Sequence, residues 1–154
     1  SPSEEGLYTD GRAAIAWLKA RGVSPNEVVL IGNSIGSGVA KQMATEIDAR
    51  AVVLISPFAS LPQVAGEKLW WLPVDLLMID RFNNLAKMPQ ITAPILLLHG
   101  DADEVIPHHH SQQLAQANPA AELVIFAGAG HDLAWHDKAE QTVLQFLERL
   151  DTGG

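Results

Sequence analysis

Ser34, His131 and an acidic residue lying between them in the chain, drawn from Asp101, Asp103 and Glu104, are side chains that together could carry out nucleophilic catalysis. A serine hydroxyl at its free pKa is a weak nucleophile. It needs an imidazole to take its proton, and the imidazole needs a carboxylate to fix its tautomer and stabilise the cation that forms. The 154-residue chain has no cysteine, which excludes a thiol nucleophile, a disulfide and a thiolate metal site, so covalent chemistry falls to a serine. Ser34 stands in Gly32-Asn33-Ser34-Ile35-Gly36, with glycines two before and two after it. That spacing lets a strand turn abruptly into a helix while the serine takes strained backbone angles and its neighbours stay clear. The backbone N–H of Ile35, directly after the serine, is then available to an oxyanion.

Chemistry of this kind needs elements that deliver the three groups to one place. Glu27 to Ile31, Ala51 to Ile55, Pro94 to His99 and Ala121 to Phe126 are short continuous apolar runs, the pattern of strands buried on both faces of a parallel sheet. Between and around them, Leu7, Ala14, Trp17 and Leu18 form an apolar stripe with Gly22 as its stop, and Val39, Ala40, Met43, Ala44 and Ile47 recur at helical spacing. Further helices are predicted over 111–117 and around Val143, Leu144, Phe146, Leu147 and Leu150. Alternating strands and helices predict an α/β fold, a parallel sheet of about four strands covered by helices on both faces. In such sheets the site lies at the carboxyl ends of the strands, where Ser34, the acidic cluster after His99 and Gly128-Ala129-Gly130-His131 all fall.

The chain reads as one domain over 1–154, with a lid-like insertion at about 57–93 interrupted by Pro57, Pro62, Pro73 and Pro89. Phe58, Leu69, Trp70, Trp71 and Leu76 in that insertion suit an apolar substrate; packing on the core explains them equally well. A net charge of -8 disfavours nucleic acid and anionic membrane as partners, both of which reward clustered Lys and Arg, and an acidic soluble protein is the default. No apolar run approaches the roughly 20 residues that span a bilayer. Gly32 to Gly38 is not a phosphate-binding loop, since no Lys-Ser/Thr follows the last glycine. His108, His109 and His110 are adjacent, and neighbouring helical side chains point about 100° apart, so they cannot converge on one ion without partners from elsewhere. No metal and no cofactor is expected.

Taken together, GNSIGSG at Gly32 to Gly38, ISPFASLP at Ile55 to Pro62, HGDADEVIP at His99 to Pro107 and GAGH at Gly128 to His131 resemble the α/β-hydrolase superfamily, and within it the BEM46-like serine hydrolases. In that family's H-G-x-x-D-x-x-V/I-P pattern the acid matches Asp103. The resemblance implies a serine hydrolase with Ser34 as nucleophile, His131 as base and Asp103 as its orienting acid, acting on a small acyl ester or thioester. A peptidase of the same superfamily would use the same residues. It also implies that the chain corresponds to the C-terminal half of that fold, because Ser1 to Tyr8 matches the sequence that ordinarily follows the first four strands, whose loops supply a second oxyanion donor. The strand Glu27 to Ile31 would then be a sheet edge with unpaired N–H and C=O groups. A homodimer covering that edge by a two-fold operation is expected, and a weakly active or inactive module that associates through it is the rival reading.

Overall fold

The computed structural model describes residues 3–68 and 80–153. Four strands, β1 (Val29–Asn33), β2 (Ala51–Ile55), β3 (Ile95–Gly100) and β4 (Glu122–Phe126), form one sheet. They lie in chain order, and every neighbouring pair is parallel. Six helices accompany them among the described residues: α1 (Glu4–Lys19), α2 (Ile35–Glu46), α3 (Leu61–Lys68), α4 (Asn84–Lys87), α5 (His109–Ala117) and α6 (Asp137–Asp151).

The sheet is covered on both faces because its central strands are apolar throughout β2 and over Ile95 to Leu98 of β3. In β2, Val52 and Leu54 face one side with Ile95 and Leu97 of β3, where Ala40 and Ala44 of α2 and Leu114 of α5 close over them. Ala51, Val53 and Ile55 face the other side with Leu96 and Leu98, against Ala139 and Phe146 of α6. Period-two alternation of the side chains sends each apolar residue to one of these two layers. The crossovers after β1 and β3 place α2 and α5 on the same face, as a single handedness of parallel connection requires.

The outer strands differ from the inner ones. Ile31 of β1 is 58% exposed and Ile125 of β4 37%. The N–H of Arg50 bonds to Val28 O and the N–H of Ser34 to Ile55 O. These two bonds fix the parity of the strand: even-numbered backbone groups face β2, so those of Val29, Ile31 and Asn33 point outward. Apolar grooves of about 500 Å³, between α1 and α2, and about 330 Å³, along α6, flank this edge on its two faces.

Boundaries shift where side-chain hydrogen bonds intervene. Strand β1 starts at Val29 rather than Glu27, because the Glu27 carboxylate accepts the Ser24 N–H at 2.8 Å and holds Pro25–Glu27 as a 3₁₀ turn. Trp17 departs from the expected stripe of α1: it is 55% exposed, with the Arg21 guanidinium 3.5 Å from its ring centroid. The helix packs through Leu7, Tyr8 and Ile15 and is fastened at its first turn. Ser3 caps it through Gly6 N–H, Glu4 accepts the N–H groups of Arg81 and Phe82 at 2.9 and 3.0 Å, and Asp80 accepts the N–H of Glu4 at 3.0 Å.

Lys41 is fully buried on α2, its Nζ donating to Phe58 O at 3.1 Å. Burial, with Lys87 adding like-charge repulsion, pushes its pKa well below the ordinary lysine value. The unfolded chain binds more protons than the folded one, so this side chain costs stability at neutral pH, and the cost disappears as pH rises past the usual lysine value. Asn84 Nδ2 also donates to Phe58 O, at 3.1 Å, so that carbonyl keeps a partner if the amine is removed. Lys41→Met is expected to raise the melting temperature by several degrees at pH 7, with the gain shrinking towards pH 10.5; thermal unfolding of both proteins across that range measures it.

Candidate active site

Ser34 is the residue between β1 and α2, with φ 51° and ψ -120°, outside the regions open to an ordinary L-residue. Two backbone bonds hold it there: its N–H donates to Ile55 O at 2.9 Å, and its carbonyl accepts the N–H of Ser37 at 2.9 Å. The two glycines of the motif have unequal roles. A Cβ at Gly32 would meet Gly36 O at 2.4 Å and Ser37 Cα at 2.6 Å, so the strand approaches the first helical turn too closely for any side chain. At Gly36 a Cβ would meet nothing within 4 Å. The N–H groups at the start of α2, Ile35 among them, belong to the helix terminus that has no intrahelical acceptor.

Ser34, His131 and Asp103 come together at the carboxyl ends of β1, β4 and β3. Ser34 Oγ is 3.0 Å from His131 Nε2, and His131 Nδ1 is 2.8 Å from Asp103 Oδ2. A carboxylate only accepts, so His131 carries its proton on Nδ1 and offers the Nε2 lone pair to the serine hydroxyl. Asp103 Oδ1 accepts the N–H groups of Val105 and Ile106 at 2.9 and 2.8 Å. Burial alone would raise the Asp103 pKa, but the Ile106 N–H, His131 and the Val105 N–H outweigh it and hold the carboxyl below its usual range. Such a row can move a proton from Ser34 to His131 while Asp103 stays ionised.

The other acidic candidates turn elsewhere. Asp101 Oδ1 accepts the N–H of Gly128 at 2.7 Å, tying the loop after β3 to the loop after β4, and Glu104 is exposed. Phe58 is 1% exposed and packs edge-on against Phe82, with ring centroids 6.0 Å apart, the core packing that is one of its two readings. Leu69, Trp70, Trp71 and Leu76 lie outside the described residues.

Two further groupings of polar side chains stand beside these residues. Glu67, on α3, accepts from His109 Nε2 at 2.9 Å and approaches His110 Nε2 at 3.4 Å, supplying the partner from elsewhere that the histidine run needs. Their ligand atoms lie within 4.8 Å of one another. His110 Nδ1, however, accepts the N–H of Ala59 at 3.1 Å, which leaves the proton on Nε2 and no lone pair there for a metal. The second grouping is His99, fully buried, with Nε2 3.4 Å from Asp103 Oδ2.

Unequal glycines give unequal substitutions. Gly32→Ala forces backbone against backbone and is expected to lose more than about 3 kcal/mol, the upper end of overpacking costs. Gly36→Ala is expected to stay within about 0.5 kcal/mol of wild type in this chain, the range of substitutions that meet no such feature. Urea unfolding of both variants tests the contrast.

Comparison with known proteins agrees with the fold. The family model described as "Dienelactone hydrolase family" matches residues 1–143. The human protein "Alpha/beta hydrolase domain-containing protein 17C" is 35% identical over 154 residues, covering 97% of this chain and 43% of its own length. An uncharacterized protein of Mycobacterium tuberculosis, Rv2307c, is 35% identical over 133 residues, covering 85% of this chain and 47% of its own. The chain thus spans less than half the length of these relatives. Among solved structures, MGS-MChE2, described as an alpha/beta hydrolase enzyme from the metagenome of lagoon sediments at Mar Chica, Morocco, superposes with a TM-score of 0.73 at 19% identity, over 94% of this chain and 71% of that one. With its parallel four-stranded sheet and the matching family model, the chain belongs to the dienelactone hydrolase family of the α/β-hydrolase superfamily.

Proposed function

We propose that this chain carries the site of a serine hydrolase that cleaves a carboxylic ester or thioester through an acyl-enzyme. The observation that carries the reading is the continuous row from Ser34 Oγ through His131 to Asp103, at 3.0 and 2.8 Å. Ser34 Oγ attacks the acyl carbon as its proton passes to His131 Nε2, and the tetrahedral oxyanion takes a hydrogen bond from Ile35 N–H. Collapse breaks the bond to the alcohol or thiol, which leaves with the proton from His131. Water, deprotonated by the same imidazole, then releases the acid. Asp103 keeps the imidazole in the tautomer that serves both steps. The insertion at about 57–93, with Leu69, Trp70, Trp71 and Leu76, is proposed to shape the acyl pocket.

A second reading concerns association. The outward-facing backbone groups of β1, exposed Ile31, and Leu144 of α6 at 52% exposure support pairing of this edge with a second copy, antiparallel across a two-fold axis. Elution from gel filtration at micromolar concentration as a dimer or larger is expected; a strict monomer rejects this pairing. For the chemistry, p-nitrophenyl acetate and butyrate should be hydrolysed by wild type, and Ser34→Ala should lose at least about 10³-fold in kcat, in the range seen when a triad member is removed. Equal rates for the two proteins would reject the serine mechanism.

A further inference from the structure

The carboxylate oxygen of Asp103 that meets His131 also faces a second imidazole. His99 Nε2 lies 3.4 Å from Asp103 Oδ2 and 2.7 Å from Ile106 O. Its other nitrogen, Nδ1, is 2.6 Å from Ser111 Oγ. His99 is fully buried at the end of β3, and so are Ser111 and the side chain of Asp103.

The partners determine the proton positions. A carbonyl oxygen and a carboxylate oxygen can only accept, so Nε2 carries the proton, and Ser111 Oγ–H donates to the bare Nδ1. Burial pushes the His99 pKa down, which favours the neutral ring. The Nε2–H is directed at Ile106 O and lies within reach of Asp103 Oδ2. Ile106 is also the residue whose N–H is held by Asp103 Oδ1. One side chain thus fastens both ends of a four-residue turn, 103–106, to the sheet and to α5.

We infer that His99 is a positioning residue for the acid: its Nε2–H, locked in place by Ser111, fixes the Asp103 turn and so sets the carboxylate against His131. This rests on Asp103 being the acid of the proposed serine hydrolase. His99 touches neither Ser34 nor a substrate and takes no part in proton transfer; a 1 Å error at the carboxylate would still be costly, up to about a hundredfold, because the imidazole it orients must align with the serine.

Two substitutions separate the ring nitrogens. In His99→Gln the amide nitrogen falls near the place of Nε2 and can still donate to Ile106 O; in His99→Asn it falls near Nδ1 and cannot reach. The Asp103 carboxyl is followed by ¹³C NMR across acidic pH, and ester hydrolysis in parallel. His99→Asn is expected to move the Asp103 midpoint up and to lower kcat by about 30–100-fold with KM within twofold, in keeping with misplacement costs; His99→Gln should leave the midpoint unmoved and keep kcat within about threefold. An unmoved midpoint in His99→Asn, or equal shifts in both variants, overturns the inference. If His99→Asn does not fold, the wild type decides: ¹⁵N NMR of the imidazole must find His99 protonated at Nε2, and protonation at Nδ1 overturns it. The NMR readouts do not need turnover, so an inert wild type with the expected midpoints would reject the hydrolase reading and keep the positioning role.

Discussion

The backbone contact between Gly32 and the first turn of α2 is the constraint on which the rest depends. Because no side chain fits between them, β1 can run straight into the helix with Ser34 at φ 51°. A residue in that conformation costs of order 1–3 kcal/mol and persists only where its surroundings determine it. Here the surroundings are the β2 strand, whose Ile55 O takes the Ser34 N–H, and the fully apolar β2 and β3 layers that fix where β2 lies. The strain at the site is thus balanced by burial in the middle of the sheet.

From that anchor the site is assembled by strand order. Parallel strands in the sequence β1-β2-β3-β4 put all their carboxyl ends on one edge, and three of the four ends supply Ser34, Asp103 and His131. Cross-ties between those loops hold the spacing: Asp101 to Gly128 N–H, and the Asp103 side chain to the Val105 and Ile106 N–H groups. Asp103 is the most closely held of the three, with its side chain fully buried, while His131 keeps 29% of its side chain exposed.

Much of this was legible in the sequence because it depends on local pattern. The run Ala51 to Ile55 matches β2 to the residue, and what ends each strand points to Ser34, His131 and an acidic cluster, within which the family resemblance and not the spacing singles out Asp103. Other features depend on pairs far apart in the chain and leave no local trace. Glu4 capping the loop at Arg81 and Phe82, and Glu67 meeting His109, are of this kind. Phe58 stays open between pocket wall and core in the sequence because an aromatic residue in an insertion can face outward or inward; in the fold the Phe82 ring packs against it. The start of β1 was missed because the Ser24 and Glu27 exchange, a short polar bond, competes with the strand.

The account stands or falls on whether Ser34 is activated by the row behind it. The most direct measurement is the reaction of the purified chain with a fluorophosphonate, followed by proteolysis and mass spectrometry to locate the adduct. The account predicts one adduct per chain, on the peptide bearing Ser34, formed far more slowly when His131 is replaced by alanine. An unmodified Ser34, or modification that proceeds equally well without His131, would contradict it.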